Sequence, residues 1–276
     1  MLYCFYLGDD CQVMMTSRHA LGSWSVPVEL GIQSFSGLPA VYTFKGRIYV
    51  YSSAEIGLLP TGGNRSRLLS WTPGEEIRLD EMTLNVYGAP SVAERNGKLY
   101  LFWRNSGFGE LRWATSSLGD EWHNAGYIRP QGMGQSLARS AWDPVVCLYQ
   151  RLLHVFYQTK QGLALIRFDG ETGWSRGQLL IDKTYHYMPA VFVHDGLLTL
   201  AFANLSSPDA TVSVTTPPDE QTMGNIHESD VQGTLDLVRY DGNALGLVDR
   251  SIGVLVKGAP SAAVLAGDLY VVFPSE

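Results

Sequence analysis

A proline followed seven residues later by a glycine, and two residues after that by isoleucine or leucine, recurs along this chain and constrains its fold more than any single residue does. The copies are PAVYTFKGRIYVY from Pro39, PSVAERNGKLYLF from Pro90, PVVCLYQRLLHVF from Pro144, PAVFVHDGLLTLA from Pro189 and PSAAVLAGDLYVV from Pro260. The glycine is Gly46, Gly97, Gly196 or Gly267, with Arg151 in its place in the third copy; Ile48, Leu99, Leu153, Leu198 and Leu269 follow. A repeat every ~45 to 70 residues is the mark of one supersecondary unit stacked on copies of itself.

Each phrase predicts two strands joined by a tight turn, because apolar residues run or alternate on both sides of Lys-Gly, Asn-Gly or Asp-Gly. In three units a third strand follows and then a tryptophan after a glycine-containing turn: Trp24 in SRHALGSW, Trp122 in SSLGDEW and Trp174 in RFDGETGW. A fourth strand, such as VPVELG or GQLLID, completes the unit before the next proline. Four antiparallel strands in ~45 to 50 residues make one propeller blade.

The N-terminal LYCFY aligns with LYLFW at Leu99 and enters its blade at the second strand, while the C-terminal copy supplies a first strand and then LYVVF. The expected fold is therefore all-β, a single β-propeller domain over residues 1–276. It has five blades of four antiparallel strands, the closing blade shared by the N- and C-termini. Sharing that blade removes a loose sheet edge.

Composition fits such a chain. Charged residues are 17% and aromatics 11% of 276 residues, with 29 glycines, which suits many short strands, glycine turns and a filled core. A formal charge of −7 without a Lys/Arg cluster argues against nucleic acid, whose affinity rests on counterion release to a basic patch. No apolar run approaches the ~20 residues of a membrane span, so no membrane partner is expected. The start MLYCFYLGDD lacks the basic flank and length of a secretory signal, predicting a cytoplasmic chain or one secreted without a recognisable signal. Cys4, Cys11 and Cys147 are odd in number and lack metal-ligand spacing. They read as reduced core or turn residues, and neither a metal nor a cofactor is expected.

The tryptophan turns resemble the Asp-box turns of sialidase-like propellers: TSSLGDEW keeps Ser116 and Trp122 and moves the acid to Asp120, and RFDGETGW keeps Asp169, Gly170 and Trp174. The whole blade phrase is also similar to fungal and bacterial propeller lectins of the fucose-binding or tachylectin type. That resemblance implies binding of a glycan or another small polar ligand. An Arg-Ile-Pro-like opening, which a sialidase would carry, is missing near the N-terminus, so sialidase activity itself is not expected.

The residues just after the second strands differ in every blade: Leu7-Gly8-Asp9, Ser53-Ala54-Glu55, Arg104-Asn105-Ser106, Gln158-Thr159-Lys160 and Asn204-Leu205-Ser206. Divergence there predicts one asymmetric site at the channel mouth rather than five equivalent ones. By register its ligand-binding candidates are Tyr6, Asp9, Trp103, Arg104, Trp142, Tyr157, Gln158, Tyr187 and Asn204. Aromatic faces with planar polar partners are what a sugar ring requires. Insertions from Ser52 and over residues 204–233 are expected to rim the same mouth or to be plain surface loops.

Asp143-Pro144 resembles the Asp-Pro that five-bladed glycosidases of the arabinanase type place at an inner-strand opening, which implies a catalytic carboxyl. The residues before the other blade prolines are Leu38, Ala89, Met188 and Ala259, and that family's Glu-Gly-Pro acid motif is absent. Hydrolysis by two carboxyls ~5 to 9.5 Å apart would need Asp9, Glu55 or Glu228 as the second, or His186 as acid or base. The principal expectation is a lectin-like binder. The alternatives are a glycoside hydrolase, lyase or other small-molecule-converting enzyme using Asp143 and His186, and a protein-interaction scaffold.

Overall fold

A computed structural model describes the chain except at residues 9, 20–21, 35–37, 53–66, 82–83, 85, 87, 106–107, 133–135, 171–172, 186, 206–231, 256–259, 266–267 and 273–276. The fold is all-β, of the five-bladed propeller class, and no helix occurs among the described residues. The chain divides into two compact units, Met1–Arg129 with Gln135–Ala138, and Pro130–Gly134 with Arg139–Glu276.

The first unit holds three sheets. β1 (Leu2–Leu7), β2 (Gln12–Arg18) and β3 (Val28–Gln33) form a three-stranded sheet at the N-terminus. β4 (Ala40–Phe44), β5 (Arg47–Ser52), β6 (Arg67–Trp71) and β7 (Arg78–Glu81) form a four-stranded blade, as do β8 (Ser91–Arg95), β9 (Lys98–Arg104), β10 (Leu111–Ser116) and β11 (His123–Tyr127). The second unit has the blades β12 (Val145–Tyr149), β13 (Leu152–Gln158), β14 (Leu163–Phe168), β15 (Gln178–Ile181) and β16 (Ala190–His194), β17 (Leu197–Leu205), β18 (Gln232–Tyr240), β19 (Leu245–Leu255). It ends in the hairpin of β20 (Ser261–Leu265) and β21 (Asp268–Val272). The termini thus supply a three-stranded and a two-stranded part-blade, as the truncated first copy and the C-terminal phrase predict.

The repeated turns have one geometry. Lys45-Gly46, Asn96-Gly97 and Asp195-Gly196 all have positive φ, from 49° to 78°, the type I′ turn whose twist matches its strands. A Cβ on any of these glycines would meet nothing within 4 Å, so the backbone angle, not space, selects glycine. Gln150-Arg151 adopts the same turn at φ 48° and 65°, with an arginine carrying the strain that glycine avoids.

Two of the tryptophan turns are equivalent to the rung. Arg18 bridges Trp24 and Phe168 bridges Trp174. Ser25 and Ser175 then make matching bonds: each serine N–H donates to the carbonyl of Ser17 or Arg167, at 2.8 Å in both, and each hydroxyl accepts the N–H of that residue. In the β8–β11 blade the turn is a packing device. Ser116 Oγ accepts the N–H groups of Leu118 and Gly119 at 3.2 and 2.8 Å, while the Gly119 carbonyl accepts the hydroxyl of Tyr42 at 2.9 Å. Trp122 meets Tyr42 edge-on at 6.2 Å and lies buried in the core between these two blades. Gly119 sits at φ 102°, where a Cβ would come within 2.6 Å of the Tyr49 ring. Trp174 stacks on Phe168 at 4.5 Å, whereas Trp24 is 38% exposed. Of the repeated tryptophans, Trp122 and Trp174 supply packing area.

Candidate active site

In the β12–β15 blade, Val145 pairs with Phe156 and Leu163 pairs with both Gln158 and Ile181. One end of the blade therefore gathers the opening of β12, the end of β13 and the crossover from β15 to β16. This is the mouth end, and the β12–β13 hairpin lies at the other.

Ser140 organises it. Its hydroxyl accepts the N–H of Gln158 at 3.1 Å and of Trp142 at 3.3 Å, while Ala141 N–H donates to the Gln158 carbonyl at 2.8 Å. Gln158 is 1% exposed, and its side-chain amide grips the crossover: Nε2 donates to the Tyr185 carbonyl at 2.9 Å and Oε1 accepts the Tyr185 N–H at 3.0 Å. A buried amide satisfied in this way costs little and fixes two chain segments at once. It is placed to position its neighbours rather than to face solvent.

On this scaffold stand Trp142 and Asp143, both half-buried. Trp142 packs with Tyr185 against the core formed by Phe156, Leu163, Met188 and Phe202. Oδ1 of Asp143 is shielded from solvent. Tyr185 lies on Phe202 with ring centroids 4.6 Å apart. Asp236, 8% exposed on β18 opposite Phe202, faces the same region. Burial, and after it the Asp236 carboxylate, raise the Tyr185 hydroxyl above its ordinary range.

The structure brings Trp142 and Gln158 into this one network, with Asp143 next to Trp142 in the chain and Tyr187 half-buried two residues beyond the clamped Tyr185. Tyr157 alternates to the opposite face of β13 from Gln158. It is buried, its hydroxyl pushed up to about 12, with Gly177 held close beside it. Asn204 lies in β17 opposite Thr234. In the first unit, Tyr6 is half-buried in β1 opposite Met14, and Arg104 ends β9 opposite Leu111. Trp103 is 2% exposed and belongs to the inter-blade core; the Arg112 guanidinium lies 5.7 Å from its ring. Its faces meet protein, a correction to the expectation of a sugar platform there. His186, Asp9, Glu55 and Glu228 lie outside the described residues, as do the insertions at 53–66 and 206–231.

Ser140, Tyr185 and Asp236 are absent from the candidates read from sequence. Asp236 had a visible signal, a lone acid in the otherwise apolar phrase LDLV. The three cysteines are free and half-buried. Among the described residues no group of three or more His, Cys, Asp or Glu is placed to hold a metal ion, and no helix is long and apolar enough to cross a membrane.

No family model matches the sequence, and no curated protein matches it. Solved structures match in fold. An alpha-L-arabinofuranosidase from Clostridium thermocellum superposes with a TM-score of 0.55 at 15% identity, covering 86% of this chain and 81% of that one. A family 117 glycoside hydrolase from Zobellia galactanivorans gives 0.53 at 13% identity, with coverages of 81% and 72%. A GH43_1 enzyme from Xanthomonas citri, solved in complex with xylose, gives 0.52 at 13% identity, with coverages of 84% and 79%. These neighbours support the propeller in the resemblance read from the blade phrase, but not its sialidase or lectin character. At such identities the chain shares with them the fold of five-bladed propeller glycoside hydrolases.

Proposed function

We propose that this chain acts on carbohydrates as a glycoside hydrolase, with Asp143 as a reacting carboxyl, in a single propeller domain spanning residues 1–276. The observation that carries the reading is the placement of Asp143. It opens an inner strand, half-buried and with one oxygen shielded. An indole precedes it, and Ser140 and Gln158 pin the backbone on which it stands. A carboxyl held this way is a preorganised acid, base or nucleophile for a glycosidic bond. The hydrolase fold of the similar structures supports this over a lectin.

A second reading, binding without turnover, is favoured by one feature of the sequence. The residues before the other blade prolines are Leu38, Ala89, Met188 and Ala259, so no second carboxyl stands at an equivalent opening. Asp143→Asn separates the two. Reducing-sugar release from arabinan, arabinoxylan and β-1,3-galactan is measured for both proteins beside their affinities. The hydrolase reading expects turnover by the unmutated chain, falling about a thousandfold in the variant with affinity within a few-fold. Absence of turnover on every substrate, with affinity lost in Asp143→Asn, would select the binder.

A further inference from the structure

Two arginines lie over aromatic rings on the third strands of their blades, Arg112 on β10 and Arg167 on β14. Each has an Nε cut off from solvent without a hydrogen-bond partner. Their forks end differently. Nη2 of Arg167 donates to Gln178, Tyr240 and Gly242. Among the described residues the Arg112 fork has neither a hydrogen-bond acceptor nor a carboxylate partner.

What holds Arg112 is its rung. It pairs with Trp103 of β9 on one side and Tyr127 of β11 on the other, and its guanidinium carbon stands 5.7 and 4.9 Å from the two ring centroids. Two ring faces attract a cation and limit its swing, so the fork is preorganised. The rung lies one step in from the Arg104–Leu111 pair that ends β9. Ala114, two residues further along the same face, is in the core between the blades with Trp103, so Arg112 caps that core at its mouth end. Glu110, two residues before it, accepts Asn105 Nδ2 on its own Oε2 at 3.4 Å. A guanidinium stays charged at any working pH, and a half-buried one without an anion is costly. Its flat fork matches the two oxygens of a carboxylate in a bidentate pair.

We infer that Arg112 is the recognition residue for a carboxylate borne by an acidic sugar, a binding residue at the mouth end of the β8–β11 blade. The inference rests on the carbohydrate reading above and narrows it to glycans that contain uronic acid. The formal charge of −7 repels such a ligand over most of the surface, so a preference for it requires a local cation.

Titration calorimetry of the full chain tests this with two probes, a xylo-oligosaccharide bearing one glucuronate and trigalacturonate, each beside its carboxyl-reduced neutral form. The unmutated protein is expected to bind at least one acid at least about tenfold more tightly than its neutral form, ~1.4 kcal/mol. Arg112→Gln should erase that preference while leaving affinity for the neutral form within about twofold. Arg112→Lys, which keeps the charge and the stem but not the fork, should reduce the preference at least about threefold, and it decides the matter where Arg112→Gln does not fold. Equal binding of acid and neutral forms, or a preference undiminished in the variants, overturns the inference while the carbohydrate reading stands. If the unmutated protein binds none of the four, both are overturned.

Discussion

At the hairpin end of the β12–β15 blade, Arg167 donates through Nη2 to Gln178 Oε1, to the Tyr240 hydroxyl and to the Gly242 carbonyl, and Gln178 Nε2 donates to the Asn243 carbonyl. His154 fills the space between the Tyr149 and Tyr240 rings, at 5.7 and 5.9 Å. Its Nδ1 lies 3.1 Å from the Leu152 carbonyl. These polar groups end on one another and tie the blade to the β18–β19 turn. At the mouth end a network of similar size, Ser140 with Gln158 and the Tyr185 backbone, ends differently: it fixes a backbone and leaves Trp142 and Asp143 half-buried upon it. Hydrogen-bond networks of comparable extent therefore make a latch closed on itself at one end and, at the other, a fixed backbone carrying two half-buried side chains.

The difference is sharpest where it is cut. Gln158→Leu keeps the volume but orphans the Tyr185 N–H and carbonyl. The expected loss is about 2–3 kcal/mol, read by urea unfolding, with amide exchange accelerated in residues 182–188 and unchanged near the 149–152 hairpin. Equal acceleration at both ends would erase the distinction between them.

The latch should also respond to acid. Burial, opposed by the Leu152 carbonyl and aided by Arg167, holds the His154 pKa below its ordinary 6.5. The unfolded chain therefore takes up this proton more readily than the folded one. The stability due to His154 is complete above about pH 6.5 and declines as pH falls through 6.5 toward the lowered folded value. His154→Phe, which keeps the ring packing, should flatten that decline in melting temperature between pH 7 and 5. An unaltered slope would remove His154 from the latch.

The smallest effect concerns the turn of the hairpin itself. Arg151 occupies the place of Gly46, Gly97 and Gly196 at φ 65°. Arg151→Gly should stabilise by no more than about 1 kcal/mol, because relief of left-handed strain is partly offset by greater freedom in the unfolded chain. Destabilisation would show that the arginine side chain matters more than its backbone angle.

The blades were legible in sequence because the features that build them repeat: the proline and the turn seven residues on recur at a fixed offset, and three units share a tryptophan at nearly the same place. Even Arg151, the exception to glycine, forms the expected turn. The site was legible only in part. Asp143 and Trp142 stood out by position, but Trp103 follows Leu99 and Leu101 at intervals of two, and that alternation puts its indole on the core face. Proximity to a strand end suggested exposure, and the alternation decided against it. Gln158 looked like a ligand-facing amide because its two backbone partners at Tyr185 are 27 residues away, and no local pattern encodes such a pairing.

On the proposed function, a carbohydrate binds at the mouth end of the β12–β15 blade. Amide hydrogen exchange of the unmutated protein, with and without arabinoxylan oligosaccharides in excess, tests it most directly. Slowed exchange is expected in segments 139–143 and 182–188, with residues 149–152 and 240–244 unaffected. Slowing confined to the hairpin and latch segments would contradict it.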